Sequence, residues 1–159
     1  MTGTVLELEP LKRVGPIDLG APRETARAAM AAIGFPLEHT RDVIDFFCEN
    51  SIQFECDADG RVMFIGVTCS PAYVVRYRGI DVFDVPAREL FALVAEADNS
   101  GKHDFDPLEY CFPNQVFTLW AADRQYDCRR RGSREVWGQV GLGNQVYAAA
   151  IRSLEDDSP

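Results

Sequence analysis

The sequence predicts an α+β domain: an antiparallel sheet of about five to six strands with two helices packed mainly on one face. Three observations carry that expectation. Ile52-Gln53-Phe54-Glu55-Cys56 alternates apolar and polar side chains, and Asp59-Gly60 separates it from a second apolar run over 61–68, the signature of a hairpin. Ala26, Ala29, Met30 and Ile33 recur at helical spacing between a proline and a glycine. Leu90, Leu93, Val94 and Ala97 do the same after Pro86.

From the N-terminus, residues 1–12 read as an extended lead-in, with Val5 and Leu6 or Leu8 packing or pairing at an edge. Gly15, Pro16 and Gly20 punctuate the next stretch, where Ile17 and Leu19 alternate like a short buried segment. The first helix is expected over 22–33. Pro22 suits a first helical turn, where a missing N–H costs nothing. Glu24 favours the positive end of the helix dipole, and Arg23 and Arg27 form a polar edge. Gly34 ends the helix and Pro36 prevents its resumption. Residues 35–49 fit either a strand or a helical turn around 43–48. After the hairpin, a second strand pair is expected at 74–77 and 80–83, joined by Arg78-Gly79. The second helix is expected over 85–97, with Pro86 in its first turn and Arg88, Glu89 and Glu96 facing outward. A polar loop over 98–114 is long for a compact domain, which marks it as functional, partly ordered by its own aromatics, or mobile. Strands at 115–120 and 136–140 flank a charged loop at 121–134. Residues 145–154 fit a strand or a helix, and their alanines favour the helix. Residues 155–159 read as a frayed acidic tail.

The chain has 159 residues, 47% of them hydrophobic, which fits one domain over 1–159 with a real core. Its formal net charge is −9. Such a surface repels phosphate backbones and anionic lipid, so neither nucleic acid nor a membrane is an expected partner. A basic protein is the natural complement. The N-terminus shows no basic and apolar leader, and no apolar run reaches the ~18 residues of a spanning helix, so a cytoplasmic location is expected. Five widely spaced cysteines (Cys48, Cys56, Cys69, Cys111 and Cys128) without a C-x-x-C are expected to be reduced thiols rather than disulfides or metal ligands.

The chain offers few catalytic patterns. His39 and His103 lie in polar segments, and no G-x-S-x-G elbow accompanies them. Asp98 to Glu109 has the length of a calcium loop, but Lys102 stands at the fifth position, where an oxygen ligand is needed, and His103 replaces the glycine. Gly15 and Gly20 precede a helix, yet Pro16 and Pro22 remove the donors a phosphate cradle needs, and there is no P-loop lysine. Neither a metal nor a cofactor is therefore expected. Arg129-Arg130-Arg131, flanked by Arg124 and Arg134, reads as a solvated basic loop that could also meet an anionic ligand. Trp120 and Trp137 both lie on expected strands. Facing the helices they are core; facing out, either is an interface anchor.

The stretch Val14-Gly15-Pro16-Ile17-Asp18-Leu19-Gly20 followed by Pro22-Arg23-Glu24 resembles the opening of a group of small bacterial proteins with the pattern G-[IV]-G-P-[IL]-x-[LF]-G-M-[ST]-x-E. Tyr77-Arg78-Gly79-Ile80-Asp81-Val82-Phe83 and the closing strands around Leu119-Trp120 and 136–140 are similar to the downstream order of the same proteins. Some of them resemble immunity proteins encoded beside interbacterial toxins. The helix–sheet module is also similar to that of β-lactamase inhibitory proteins and small outer-membrane lipoproteins; the lipoprotein role does not carry over, since this chain shows no lipid anchor. This chain departs from the pattern at Ala21-Pro22, where Met-Ser or Met-Thr is usual. The resemblance implies a scaffold and brings no catalytic residue with it.

The expected function is accordingly that of a binding protein and not an enzyme: an immunity protein that neutralises a cognate toxin, a basic toxin domain, by occluding its active site. The expected contact residues are Asp104, Phe105, Asp106, Glu109 and Tyr110 of the long loop, with Trp137. The alternative is a small-molecule-binding or enzymatic domain with a pocket between sheet and helices, using Cys69, His103 or the arginine cluster. A third possibility is a structural subunit of a larger assembly.

Overall fold

The computed structural model describes residues 3–127 and 132–156. Its elements run β1 (Thr4–Glu9), β2 (Arg13–Val14), β3 (Ile17–Asp18), α1 (Arg23–Ala32), β4 (His39–Arg41), β5 (Ile44–Phe47), β6 (Ile52–Cys56), β7 (Val62–Val67), β8 (Tyr73–Tyr77) and β9 (Ile80–Asp81). Then follow α2 (Ala87–Asp98), β10 (Glu109–Phe112), β11 (Phe117–Asp127), β12 (Gly132–Gly143) and α3 (Gln145–Asp156). The α+β class holds, but the strands form two sheets where one was expected. A five-stranded sheet has the order β3-β2-β1-β8-β9, and a seven-stranded sheet has the order β10-β11-β12-β7-β6-β5-β4. There are three helices among the described residues where two were expected, because 145–156 is helical.

The small sheet exists because the N-terminal stretch is not a loose lead-in. Leu6 and Leu8 alternate with exposed neighbours and are buried. β1 lies parallel to β8, with Val5 opposite Val74 and Leu6 opposite Val75. A parallel pair between residues 69 positions apart leaves no local mark in the sequence, unlike a hairpin. The turn at 15–22 then docks on the large sheet. Gly20 N–H donates to Val62 O at 2.7 Å, Val62 N–H to Ala21 O at 2.9 Å, and Arg23 N–H to Gly60 O at 3.0 Å. This stretch therefore joins the two sheets as well as leading into α1.

Helix α1 ends as its sequence dictates. Gly34 adopts φ +92°, which lets its N–H reach Ala31 O and the Phe35 N–H reach Met30 O, satisfying two terminal carbonyls. Pro22 and Pro86 each stand one residue before their helix, in extended conformation, rather than within its first turn.

One row of side chains crosses the whole large sheet on its inner face: Phe112, Phe117, Leu142, Ile65, Phe54, Asp45 and Thr40, each opposite the next. The first five are buried core. At Asp45 the row passes beneath α1, and the apolar series stops. Asp45 is fully buried, and its carboxylate accepts from Arg23 at 2.8 and 3.0 Å, Arg27 at 2.7 and 3.1 Å, and Thr40 Oγ1 at 2.7 Å. The arginines expected as a solvated polar edge thus clamp α1 to β5. Burial opposes ionisation of Asp45, but the two guanidiniums and Thr40 outweigh it and hold the carboxyl well below the ordinary aspartate range.

Two further expectations change. The charged loop at 121–134 is mostly strand, since β11 runs to Asp127 and β12 starts at Gly132. The arginines at 129–131 and Cys128 lie outside the described residues, and the side chains of Arg124 and Arg134 are likewise not described. Cys48, Cys56 and Cys111 are reduced thiols as expected, whereas Cys69 is disulfide-bonded.

Removing the Asp45 carboxylate leaves two arginines without their shared partner. Asp45→Ala is expected to cost about 3 kcal/mol, the low end for a broken buried pair because both arginines keep some solvent contact. The clamp's contribution is complete above the ordinary aspartate value of 3.8 and is lost as pH falls below it. Urea unfolding between about pH 5 and pH 2 should therefore show steep acid destabilisation in the parent and a shallower dependence in Asp45→Asn.

Candidate functional site

The outer face of the large sheet is built from the residues that alternate with the core. Its central row is Cys111, Thr118, Gly141, Gly66, Gln53, Phe46 and His39, again each opposite the next. Two glycines face each other in the middle of the row and leave the backbone bare. Neighbouring side chains fold onto that bare strip. A Cβ on Gly141 would lie 2.4 Å from the Phe64 ring, and one on Gly66 would lie 2.2 Å from Gln139 Nε2. The glycines are thus required by close approach, and the Phe64 and Gln139 side chains that lie over them line the floor of a depression.

Helix α3 supplies one wall. Asn144 opens it: its N–H donates to Met63 O at 3.0 Å, and its side-chain oxygen accepts from the Tyr147 N–H at 3.1 Å. Tyr147 then stacks on Phe64, with ring centroids 4.5 Å apart. The resulting groove has a volume of about 550 Å³, and Gln53, Glu55, Gln139, Thr118, Glu109 and Trp120 line it together with Phe64, Tyr147 and Ile151. Trp120 lies opposite Gln139 and Glu109 in the sheet and is 54% exposed.

The electrostatics of the groove are one-sided. Glu55 and Glu109 line it, and among the described residues no lysine or arginine does. Among the described residues neither carboxylate makes an ion pair or a side-chain hydrogen bond. Burial pushes the Glu55 carboxyl above its ordinary value. Tyr147 is pushed up to about 12, first by burial and then by Cys111, Glu55 and Glu109, so both carboxylates act on one phenol.

The residues expected to contact a partner do not form one surface. Glu109 and Tyr110 line the groove. Asp104 is exposed, and Asp106 is half-buried and accepts from the Leu108 N–H at 2.9 Å. Phe105 packs inward against Phe91 and Trp137, with the Arg88 guanidinium 4.1 Å above its ring. Trp137 is a correction: it is 1% exposed, and its Nε1–H donates to Ala87 O at 2.9 Å, which fixes the start of α2 on β12. It is core and cannot reach a partner. The exposed tryptophan is the other one, Trp120.

The long loop is ordered by a buried carboxylate. Asp98 accepts from the Gln115 N–H at 2.7 Å, Gln115 Nε2 at 3.0 Å, the Asn114 N–H at 3.2 Å and the Ser100 hydroxyl. Burial disfavours its charge, but these donors win and hold its carboxyl below the ordinary value. The segment 98–114 also contains β10, so it is not loop throughout, and its aromatics Phe105, Tyr110 and Phe112 pack on Phe91, the ordering expected as one alternative. His103 Nε2 lies 2.6 Å from Ser100 Oγ, and its Nδ1 meets the Tyr110 hydroxyl. The Ser100 hydroxyl donates to the Asp98 carboxylate, so its oxygen is left to accept from His103 Nε2–H. A hydroxyl committed to a carboxylate is not presented to the histidine as a nucleophile. Asp98, the first residue of the calcium-like stretch, spends its oxygens on this network. Among the described residues no group of three or more His, Cys, Asp or Glu is placed to hold a metal ion. His39 stacks on Phe46 with ring centroids 4.5 Å apart, at the far end of the outer row.

Sequence reasoning missed Trp120, Glu55, Gln53, Phe64, Gln139 and Tyr147 as a group. The signal for part of it was present: the alternation that buries Ile52, Phe54 and Cys56 places Gln53 and Glu55 together on the opposite face. No protein-family model, curated protein or solved structure matches the chain.

The two glycines beneath the floor should respond differently to a methyl group. At Gly141 the obstacle is the Phe64 ring, itself held against Tyr147, so Gly141→Ala should cost about 1–3 kcal/mol. At Gly66 the main obstacle is the flexible end of Gln139, so Gly66→Ala should stay within about 1 kcal/mol of the parent. Urea unfolding midpoints of the two variants check the order.

Proposed function

We propose that the protein is a binding domain that neutralises a basic toxin domain, as an immunity protein does, and that it docks through the outer face of the large sheet. The observation that carries this reading is Trp120, a large aromatic 54% exposed in a groove with two carboxylates and, among the described residues, no basic side chain. An exposed tryptophan at the centre of a shaped patch is the usual anchor of an interface. The groove's carboxylates and the net charge of −9 favour a basic partner and disfavour nucleic acid and anionic membranes. Occlusion requires no chemistry from this chain, and the commitment of Ser100 to Asp98 fits a binder better than a hydrolase.

Location belongs to the same proposal. No helix among the described residues is long and apolar enough to cross a membrane. Immunity against an incoming toxin places the protein in the cytoplasm of the protected cell. The disulfide at Cys69 pulls the other way, since disulfides persist mainly in oxidising compartments.

A second reading has its own observation. A groove of about 550 Å³ lies within the size range of small-molecule sites, and it sits between sheet and helix. Native mass spectrometry of protein purified from its host, showing a retained small molecule, would favour that reading.

The test is binding to the toxin domain encoded by a neighbouring gene, with inhibition of that domain's activity. Trp120→Ala should weaken the complex by about thirtyfold or more, corresponding to the ~2 kcal/mol of a central anchor, while the circular dichroism spectrum stays unchanged because the side chain is exposed. Unchanged affinity in Trp120→Ala, or no inhibition by the parent, overturns the proposal.

A further inference from the structure

We infer that the groove on the outer face of the large sheet receives a single basic side chain of the protein partner, its charged end against Glu55 and Glu109 and its aliphatic stem along the aromatic walls. This inference rests on the reading of that face as a docking surface and names what enters it.

The treatment of carboxylates elsewhere in the fold gives the contrast. Asp45 and Asp98, the two buried aspartates, are each surrounded by donors. Glu55 and Glu109 have no such donors among the described residues, although Glu55 is partly withdrawn from water. Covering them with a neutral partner would remove their remaining hydration and return nothing, a cost of the kind that excludes unpaired charges from interfaces. An anionic partner would add repulsion to that cost. A guanidinium or ammonium group supplies the missing donors and the opposite charge together.

The other lining residues suit the same occupant. Phe64, Tyr147 and Trp120 present aromatic surface, which attracts cations through the ring quadrupole and packs against methylene stems. Gln53 and Gln139 carry amide oxygens that accept from the remaining N–H groups. The Gln139 side chain rests over Gly66 by its flexible end, so it can yield space without movement of the backbone.

The protein supplies its own reporter. It has two tryptophans; Trp137 is buried in the core and Trp120 is exposed in the groove, so solvent-exposed tryptophan emission reports the site. Titration with acetyl-Gly-Arg-Gly-amide should change that emission, and nuclear magnetic resonance should show shifts of the Gln53 and Gln139 side-chain amides. The citrulline counterpart, equal in shape but neutral, should bind at least tenfold more weakly. Glu55→Gln/Glu109→Gln, which keeps shape and removes charge, should lose at least tenfold in affinity for the arginine peptide with an unchanged unfolding midpoint. Equal binding of the arginine and citrulline peptides, or unchanged binding by the double variant, overturns the inference. Tighter binding of spermidine than of the arginine peptide overturns the assignment to a protein side chain in favour of a free polyamine. If the neighbouring toxin domain binds through Trp120 while the double variant keeps full affinity for it, this inference fails and the docking surface stands. If the arginine peptide binds as expected and no toxin domain is inhibited, the groove stands and the proposed function fails.

Discussion

The two-residue alternation of β-strands, interrupted at the register shift between Glu55 and Cys56 and at Ala121, where φ is +56°, is the constraint on which the rest of this molecule depends. The seven-stranded sheet meets different surroundings on its two faces, and every strand must serve both at once. In one register Phe112, Phe117, Leu142, Ile65 and Phe54 line up on the inner face, and Thr118, Gly141, Gly66 and Gln53 line up on the outer one. A slip of one residue in β6 would send Gln53 and Glu55 into the core and Phe54 into the groove. The same register sets Gly66 opposite Gly141, beneath the floor, and leaves Phe64 where Tyr147 can stack on it. Core and groove are thus two consequences of one pairing.

Two buried aspartates fix the helices that cover the inner face. Asp45 receives both arginines of α1 at the point where the core row leaves the apolar interior. Asp98 closes α2 by receiving the backbone of Asn114 and Gln115, which brings the chain back to the start of β11. Each carboxylate lies where a helix has to be held in one position against a strand, and directional hydrogen bonds do that where apolar contact alone would let it slide.

The local elements were legible because their signals are local. The hairpin at 52–67 follows from alternation around an Asp-Gly turn, and α1 and α2 follow from helical spacing between proline and a stop signal. What was not legible involved partners distant in sequence. The parallel pairing of β1 with β8 has no local signature, so Leu6 and Leu8 read as an edge when they are central to a sheet. The extension of β11 and β12 through a charged stretch was read as a loop because its residues lack apolar alternation. At the site, chemistry-rich residues drew attention to the 98–110 segment, yet Phe105 and Asp98 serve the fold. The two tryptophans carry the same sequence signal, and alternation would put both on one face, since Trp120 pairs with Gln139, two residues from Trp137; the ladder is interrupted at Ala121, where φ is +56°, and Trp137 is core while Trp120 is surface.

The separation of the two faces also bears on how such a protein can change over generations. The residues that line the groove, Gln53, Glu55, Thr118, Gln139, Trp120 and Glu109, alternate with the core but do not enter it. Exchanging their charge or size therefore perturbs the packing of α1, α2 and the small sheet little, since sites that share no partners contribute to stability nearly independently. A lineage can rewrite the chemistry of this face while inheriting the same folded frame. Phe64 and the two glycines beneath it are the exceptions, tied to Tyr147 and to each other, and they set the limit within which that face can drift.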